Sequence, residues 1–176
     1  MGAYELIADS NNFRAYILAN PDEWEVFDGA YGQRMRERWR PLRVEVERES
    51  RRRTPPGDFP CLFLGTDVAF SQRAVDELGS LLEPAGELLP LECDAEPLWF
   101  YNCDRFADVL DEQASDIRRY QSSGRIMTIH RHAWRPEVER ETFFRLPQLH
   151  RSHVYATDAV VERIRSAGLR GFSFRG

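Results

Sequence analysis

The sequence predicts an α+β fold: one domain over residues 1–176, with a mixed or mostly antiparallel sheet and two main helices at about 71–83 and 158–167. Three observations lead there. Apolar patterns of period two and period 3.6 are interspersed without a regular strand–helix–strand rhythm. Hydrophobic residues make up 42% and aromatics 12% of the chain, enough to build a core. No repeat or long linker divides the 176 residues, the length of one ordinary domain. The pattern admits only a small N-terminal subdomain through residue 56.

The opening AYELIAD reads as a short strand and SNN as a turn. Tyr16-Ile17-Leu18 is apolar, and Asn20-Pro21-Asp22-Glu23 then signals a helix start. That helix is expected to stop by Phe27, ahead of Asp28-Gly29. Leu42, Val44 and Val46 alternate with charges through Glu49, a half-buried strand. Its continuation, RRRTPPGDFP, is a loop whose prolines cannot stay in a ladder.

After CLFLGTDVAFS, residues Ala74, Val75, Leu78, Leu81 and Leu82 fall at helical spacing with Ser71 placed to cap them. Leu88–Leu91 and Leu98–Asn102 read as strands, the second apolar enough to be central. In DRFADVLDEQASDI, Phe106, Val109 and Leu110 predict one helical face, with acids crowding the other. A strand starts at Ile126 and ends near Trp134, and another covers Thr142–Leu146. Thr157 or Asp158 caps a helix with Val160, Val161 and Ile164 on its apolar face, closed by Gly168. A last strand alternates through Phe174.

Several function classes drop out. All 24 cationic residues are arginine, which excludes Schiff-base chemistry, a Walker-type phosphate lysine and lysine general bases. No GxxxxGK[ST], GxGxxG, GxSxG or HExxH motif occurs. Cys61, Cys93 and Cys103 are odd in number and lack CxxC spacing, so they read as small buried hydrophobes of a reducing compartment. There is no long apolar run and no basic-then-apolar N-terminal leader, so a cytoplasmic location is expected.

Net charge is −5, unevenly distributed. Residues 34–53 carry nine arginines against four glutamates, whereas residues 76–116 carry twelve acids against Arg105 alone. These stretches predict a basic and an acidic surface, provided the fold keeps them apart.

The candidate sites are few. His130 and His132, two apart on a strand, would point both rings to one face as metal ligands must, and His150 and His153 would complete four. No carboxylate accompanies them at a diagnostic spacing, so solvent-facing or hydrogen-bonded histidines are preferred, and no metal or cofactor is expected. Asp104, Asp108, Asp111 and Glu112 fall on one face of the predicted helix: a solvated face or a docking surface for a basic protein. The Arg34–Arg53 cluster is the basis for an alternative, a regulatory or nucleic-acid-binding module, although its glutamates interleave and no recognition motif accompanies it. Trp24, Trp39, Trp99 and Trp134 read as core anchors, with Trp39 placed to stand exposed between arginines.

Three stretches carry a family resemblance: FLGTDVAFSQRAVDELGSLLEPAGELLPLE, LWFYNCDRFADVLDEQASD and FFRLPQLHRSHVYATDAVVERIRSAGLRGFSF. In this order they resemble the immunity-protein family numbered eleven of bacterial polymorphic toxin systems, over residues 60–176. Trp99-Phe100-Tyr101-Asn102, Phe143-Phe144-Arg145-Leu146 and Gly168-Leu169-Arg170-Gly171-Phe172 occupy the motif places. The resemblance implies a small cytoplasmic antidote that binds and neutralises a cognate toxin encoded by the adjacent gene, without catalytic residues. A generic protein-interaction scaffold is the other alternative. The expected partner-binding residues are Asp104, Asp108, Asp111 and Glu112, as the most exposed acids facing a basic partner, with Arg118 and Tyr120 as anchors. Trp134, Arg119 and Arg125 are further anchor candidates.

Overall fold

The computed structural model describes residues 2–48, 54–62, 67–149 and 151–176. Glu49 and Arg51–Arg53 of the arginine cluster, residues 63–66 and His150 lie outside the described residues.

In chain order the elements are β1 (Ala3–Ala8), β2 (Ala15–Leu18), α1 (Trp24–Ala30), β3 (Leu42–Val46), β4 (Cys61–Leu62), β5 (Asp67–Ser71), α2 (Gln72–Leu82) and β6 (Gly86–Glu92). They continue with β7 (Leu98–Cys103), β8 (Asp116–Arg119), β9 (Ile126–Arg131), β10 (Phe143–Phe144), β11 (Tyr155–Thr157), α3 (Asp158–Ser166) and β12 (Phe172–Arg175). The α+β expectation holds, with sheets that are mostly antiparallel. Six strands close a barrel in the order β2-β3-β6-β7-β5-β4, a second sheet runs β10-β11-β1-β12, and β8 and β9 form a two-stranded ribbon.

Side-chain alternation sorts the apolar residues into three cores. On β7, Leu98 and Phe100 point into the barrel with Tyr16, Leu18, Val44, Leu89 and Leu91, while α1 contributes Phe27 and Ala30. Tyr101 and Cys103 on the opposite face of β7 meet α2, α3 and the inner side of the second sheet. The far side of that sheet, with Ala3, Phe144 and Tyr155, is covered by Ala107, Val109, Leu110 and Ile126. Antiparallel pairing of β1 with β12 ties the N-terminal strand to the C-terminal one.

The predicted Ser71 cap and Gly168 stop are present, whereas Thr157 stands at the N-cap position of α3 without a side-chain cap bond, its hydroxyl donating to the Glu141 carbonyl at 3.2 Å. Ser71 Oγ accepts the Ala74 N–H at 3.1 Å, satisfying an otherwise orphaned donor of α2. Gly168, at φ +63°, adopts the left-handed conformation that ends α3.

Two expectations fail. The first helix does not stop at Phe27 but runs through Asp28-Gly29 to Ala30, because Phe27 and Ala30 both bury in the barrel. Residues 104–115 form no helix. Isolated bridges pair Phe106 with Arg145 and Leu110 with Trp134, leaving Ala107 and Val109 buried and Phe106 and Asp108 exposed. Tertiary pairing of this extended segment overrides its helical spacing.

Nor do the oppositely charged stretches stay apart. Parallel pairing of β3 with β6 sets Arg43 beside Glu92, and its guanidinium bonds Glu92 at 2.9 Å and Asp94 at 2.5 Å. Arg34 bonds Asp104 at 2.7 Å, and the Glu87 carboxylate accepts the Met35 N–H at 2.7 Å.

Candidate interaction surface

The histidines do not converge. His130 is exposed, whereas His132 follows the end of β9 and turns inward. Its ring stacks on Trp134, 5.1 Å between centroids, and its Nε2 lies 3.1 Å from the Tyr155 hydroxyl. Tyr155 donates in turn to Glu5 at 3.0 Å, and Glu5 pairs with Arg175. The expectation of two rings on one face is therefore overturned: the strand ends between them, and packing claims the second. Burial lowers the pKa of both His132 and His153. No group of three or more His, Cys, Asp or Glu among the described residues could hold a metal ion.

Of the three cysteines, Cys103 matches the reading as a buried hydrophobe and the other two do so only in part. Cys103 is fully buried, Cys61 and Cys93 half-buried, and all three are free thiols. Burial pushes the Cys103 thiol up to about 11, which leaves little nucleophilic thiolate at neutral pH. Trp39 does not stand exposed. It stacks on Phe100 at 5.7 Å and donates from Nε1 to the Pro90 carbonyl at 2.8 Å. Trp134 packs edge-on against Phe144 and Tyr155, so it serves the third core and not an outer surface.

The expected acidic anchors lie along the extended 104–115 segment and are largely occupied within the chain. Asp104 is not among the most exposed acids: its side chain is 14% accessible and bound to Arg34. Asp108 is open, at 63%, yet pairs with Arg135 and accepts the Gln148 amide at 2.6 Å. Asp111 Oδ1 accepts the N–H groups of Gln113 and Ala114, holding a turn. Glu112 bonds Arg119 at 2.5 Å. Compensated in this way, the carboxylates project only a short-range field.

Beside them stands the β8–β9 ribbon, whose tip is internally braced. Tyr120 and Arg125 are joined by a 2.9 Å backbone bond, and Gly124 at φ +68° supplies the turn. Arg119 Nη1 ties back to the Gly124 carbonyl at 3.0 Å. The expected anchors Arg118 and Tyr120 are both exposed here. Neither the Arg118 nor the Arg125 guanidinium has an ion pair or hydrogen bond with the described residues. Tyr120 at 48% and Met127 at 39% accessible are two of the three exposed large hydrophobics among the described residues. Between the ribbon and residues 147–149 and 151 runs an open groove of about 530 Å³, lined by Tyr120, Arg125, Met127, Gln148, Leu149 and Arg151, among others. Sequence reasoning found Tyr120 and Arg125 but missed Met127, Gln148, Leu149 and Arg151. The signal available was Met127, an apolar residue on the outward face of a strand that already buries Ile126.

Arg145 was quoted above only as part of a scaffold motif. It is 2% exposed, donates to the carbonyls of Cys103 and Ser152, and lies 4.7 Å above the Tyr31 ring. A buried guanidinium held by carbonyls and an aromatic face locks the end of β7 to the loop before β11.

No helix among the described residues is long and apolar enough to cross a membrane. No curated protein matches the chain. Residues 92–176, from the last residue of β6 to the C-terminus, include the second and third of the three resembling stretches, the bridged acidic segment, the ribbon and buried Arg145, and they match the model of the immunity protein family Imm11.

Proposed function

We propose that the chain is a cytoplasmic bacterial immunity protein that binds and neutralises a cognate toxin stoichiometrically, without chemistry of its own. The carrying observation is the family match over residues 92–176. Immunity by binding needs a rigid contact surface and no reactive group, and the site has that character. The thiols are buried or half-buried; of the described histidines, His132 and His153 are half-buried and His130 is exposed. The ribbon tip is braced while presenting Arg118, Tyr120 and Met127 to solvent. Such preorganised, exposed aromatic and guanidinium groups anchor protein interfaces at low entropic cost. Asp108, Asp111 and Glu112 flank the anchors and orient a basic rim of the partner, with Asp104 contributing through Arg34.

Co-expression with the toxin-like product of the adjacent gene tests the reading. A one-to-one complex that co-purifies, and survival of cells otherwise killed by that product, are the expected results. Neither co-purification nor protection would overturn it.

A further inference from the structure

Resting on that reading, we infer that the groove between the β8–β9 ribbon and the wall of Pro147, Gln148, Leu149 and Arg151 receives an extended acidic segment of the partner protein, with an apolar side chain flanked by carboxylates.

Charge complementarity is the first argument. Among the described residues the groove is lined by Arg125 and Arg151 and by no carboxylate, the nearby Asp108 being engaged by the Gln148 amide and Arg135. Arg151 is shared with Asp28, while the Arg125 guanidinium has no acceptor among the described residues. A desolvated guanidinium needs one, and a carboxylate supplies it with two parallel bonds. The apolar lining is the second argument. Tyr120, Ile126, Met127, Pro147 and Leu149 form it, and Tyr120, Met127 and Pro147 are exposed there. Their burial requires an apolar group from the occupant.

A polynucleotide fits less well. Among the described residues only two cations line the groove, and one of them, Arg151, is already paired with Asp28, too few for a run of phosphates.

The test titrates the isotopically labelled full chain with a synthetic Glu-Glu-Leu-Phe-Glu-Glu peptide, its Lys-for-Glu counterpart and an oligouridylate. The same chain, wild type and R125E/Y120A, is also measured against the co-purifying toxin. The acidic peptide is expected to shift the amides of Tyr120, Arg125, Met127, Leu149 and Arg151, and R125E/Y120A to abolish those shifts. The double variant should weaken toxin binding about 100-fold, mainly through faster dissociation. Both sites sit on the exposed ribbon tip, so an unchanged unfolding midpoint verifies the fold. Equal shifts with the Lys peptide, or stronger ones with oligouridylate, would overturn the inference. So would full toxin affinity in the double variant, which leaves the immunity reading standing. Failure of the wild type to bind any toxin while the acidic peptide still binds would overturn the immunity reading and keep the groove.

Discussion

β7 and β9 are both six-residue strands that read as apolar, yet they do opposite work. β7 lies between β5 and β6 and buries side chains on both faces: Leu98 and Phe100 in the barrel, Tyr101 and Cys103 against the helices. β9 has one partner, buries Ile126, and leaves Met127, His130 and Arg131 exposed. A two-stranded ribbon is marginal unless it packs on something, and this one is held by Ile126 below and a braced tip above. Apolar residues in β7 are therefore explained by folding. Met127 and Tyr120 are not, and this surplus is what the proposed partner surface rests on.

The sharpest way to break this contrast is truncation on each strand. Phe100→Ala, which empties the barrel centre, should cost about 3–5 kcal/mol. Met127→Ala should cost less than about 0.5 kcal/mol. Urea unfolding midpoints measure both, and similar losses would mean that Met127 belongs to a core.

Arg145→Met asks whether the buried cation joins the two regions. It leaves the Cys103 and Ser152 carbonyls without their donor, for an expected loss of about 3 kcal/mol. A neutral result would mean that those carbonyls find other donors. Ser71→Ala, at the start of α2 and far from the ribbon, should cost about 1 kcal/mol in the same assay, the usual worth of a cap.

The pH dependence sharpens the comparison further. Burial holds His132 and His153 below the ordinary histidine range, opposed by Glu5 and reinforced by Arg175; Arg145 adds to the lowering at His153. The folded state thus disfavours protonation, and the unfolded chain binds the proton first. Stability should be full above about pH 6.5 and fall as pH drops through the depressed folded values. A flat unfolding midpoint between pH 7.5 and 5 would contradict this. In the double variant H132Q/H153Q the slope should shrink.

The parts legible in the sequence are those where local and tertiary preferences agree. α2 follows from the spacing of Ala74, Leu78 and Leu82 with Ser71 at its cap, and α3 from Val160, Val161, Ile164 and Gly168. The 104–115 segment was misread because its acids match a helical face, while the deciding contacts, Phe106 with Arg145 and Leu110 with Trp134, are distant in sequence. A weaker period-two signal, Ala107 and Val109 buried around exposed Asp108, was present within it. The charge pattern misled for the same reason. Only the β3–β6 pairing, invisible locally, sets Arg43 against Glu92. Of the candidate surface, Arg118, Tyr120 and Arg125 could be chosen from type and position. Pro147, Gln148, Leu149 and Arg151 could not, since the fold alone brings them beside the ribbon.

The central claim is that the chain acts by occupying its partner. Titrating a fixed amount of active toxin with increasing amounts of this protein tests it most directly. The account predicts a linear fall in toxin activity that reaches its floor at one equivalent and does not deepen with time. Inactivation by a small fraction of an equivalent, progressing with time, would show turnover and contradict it.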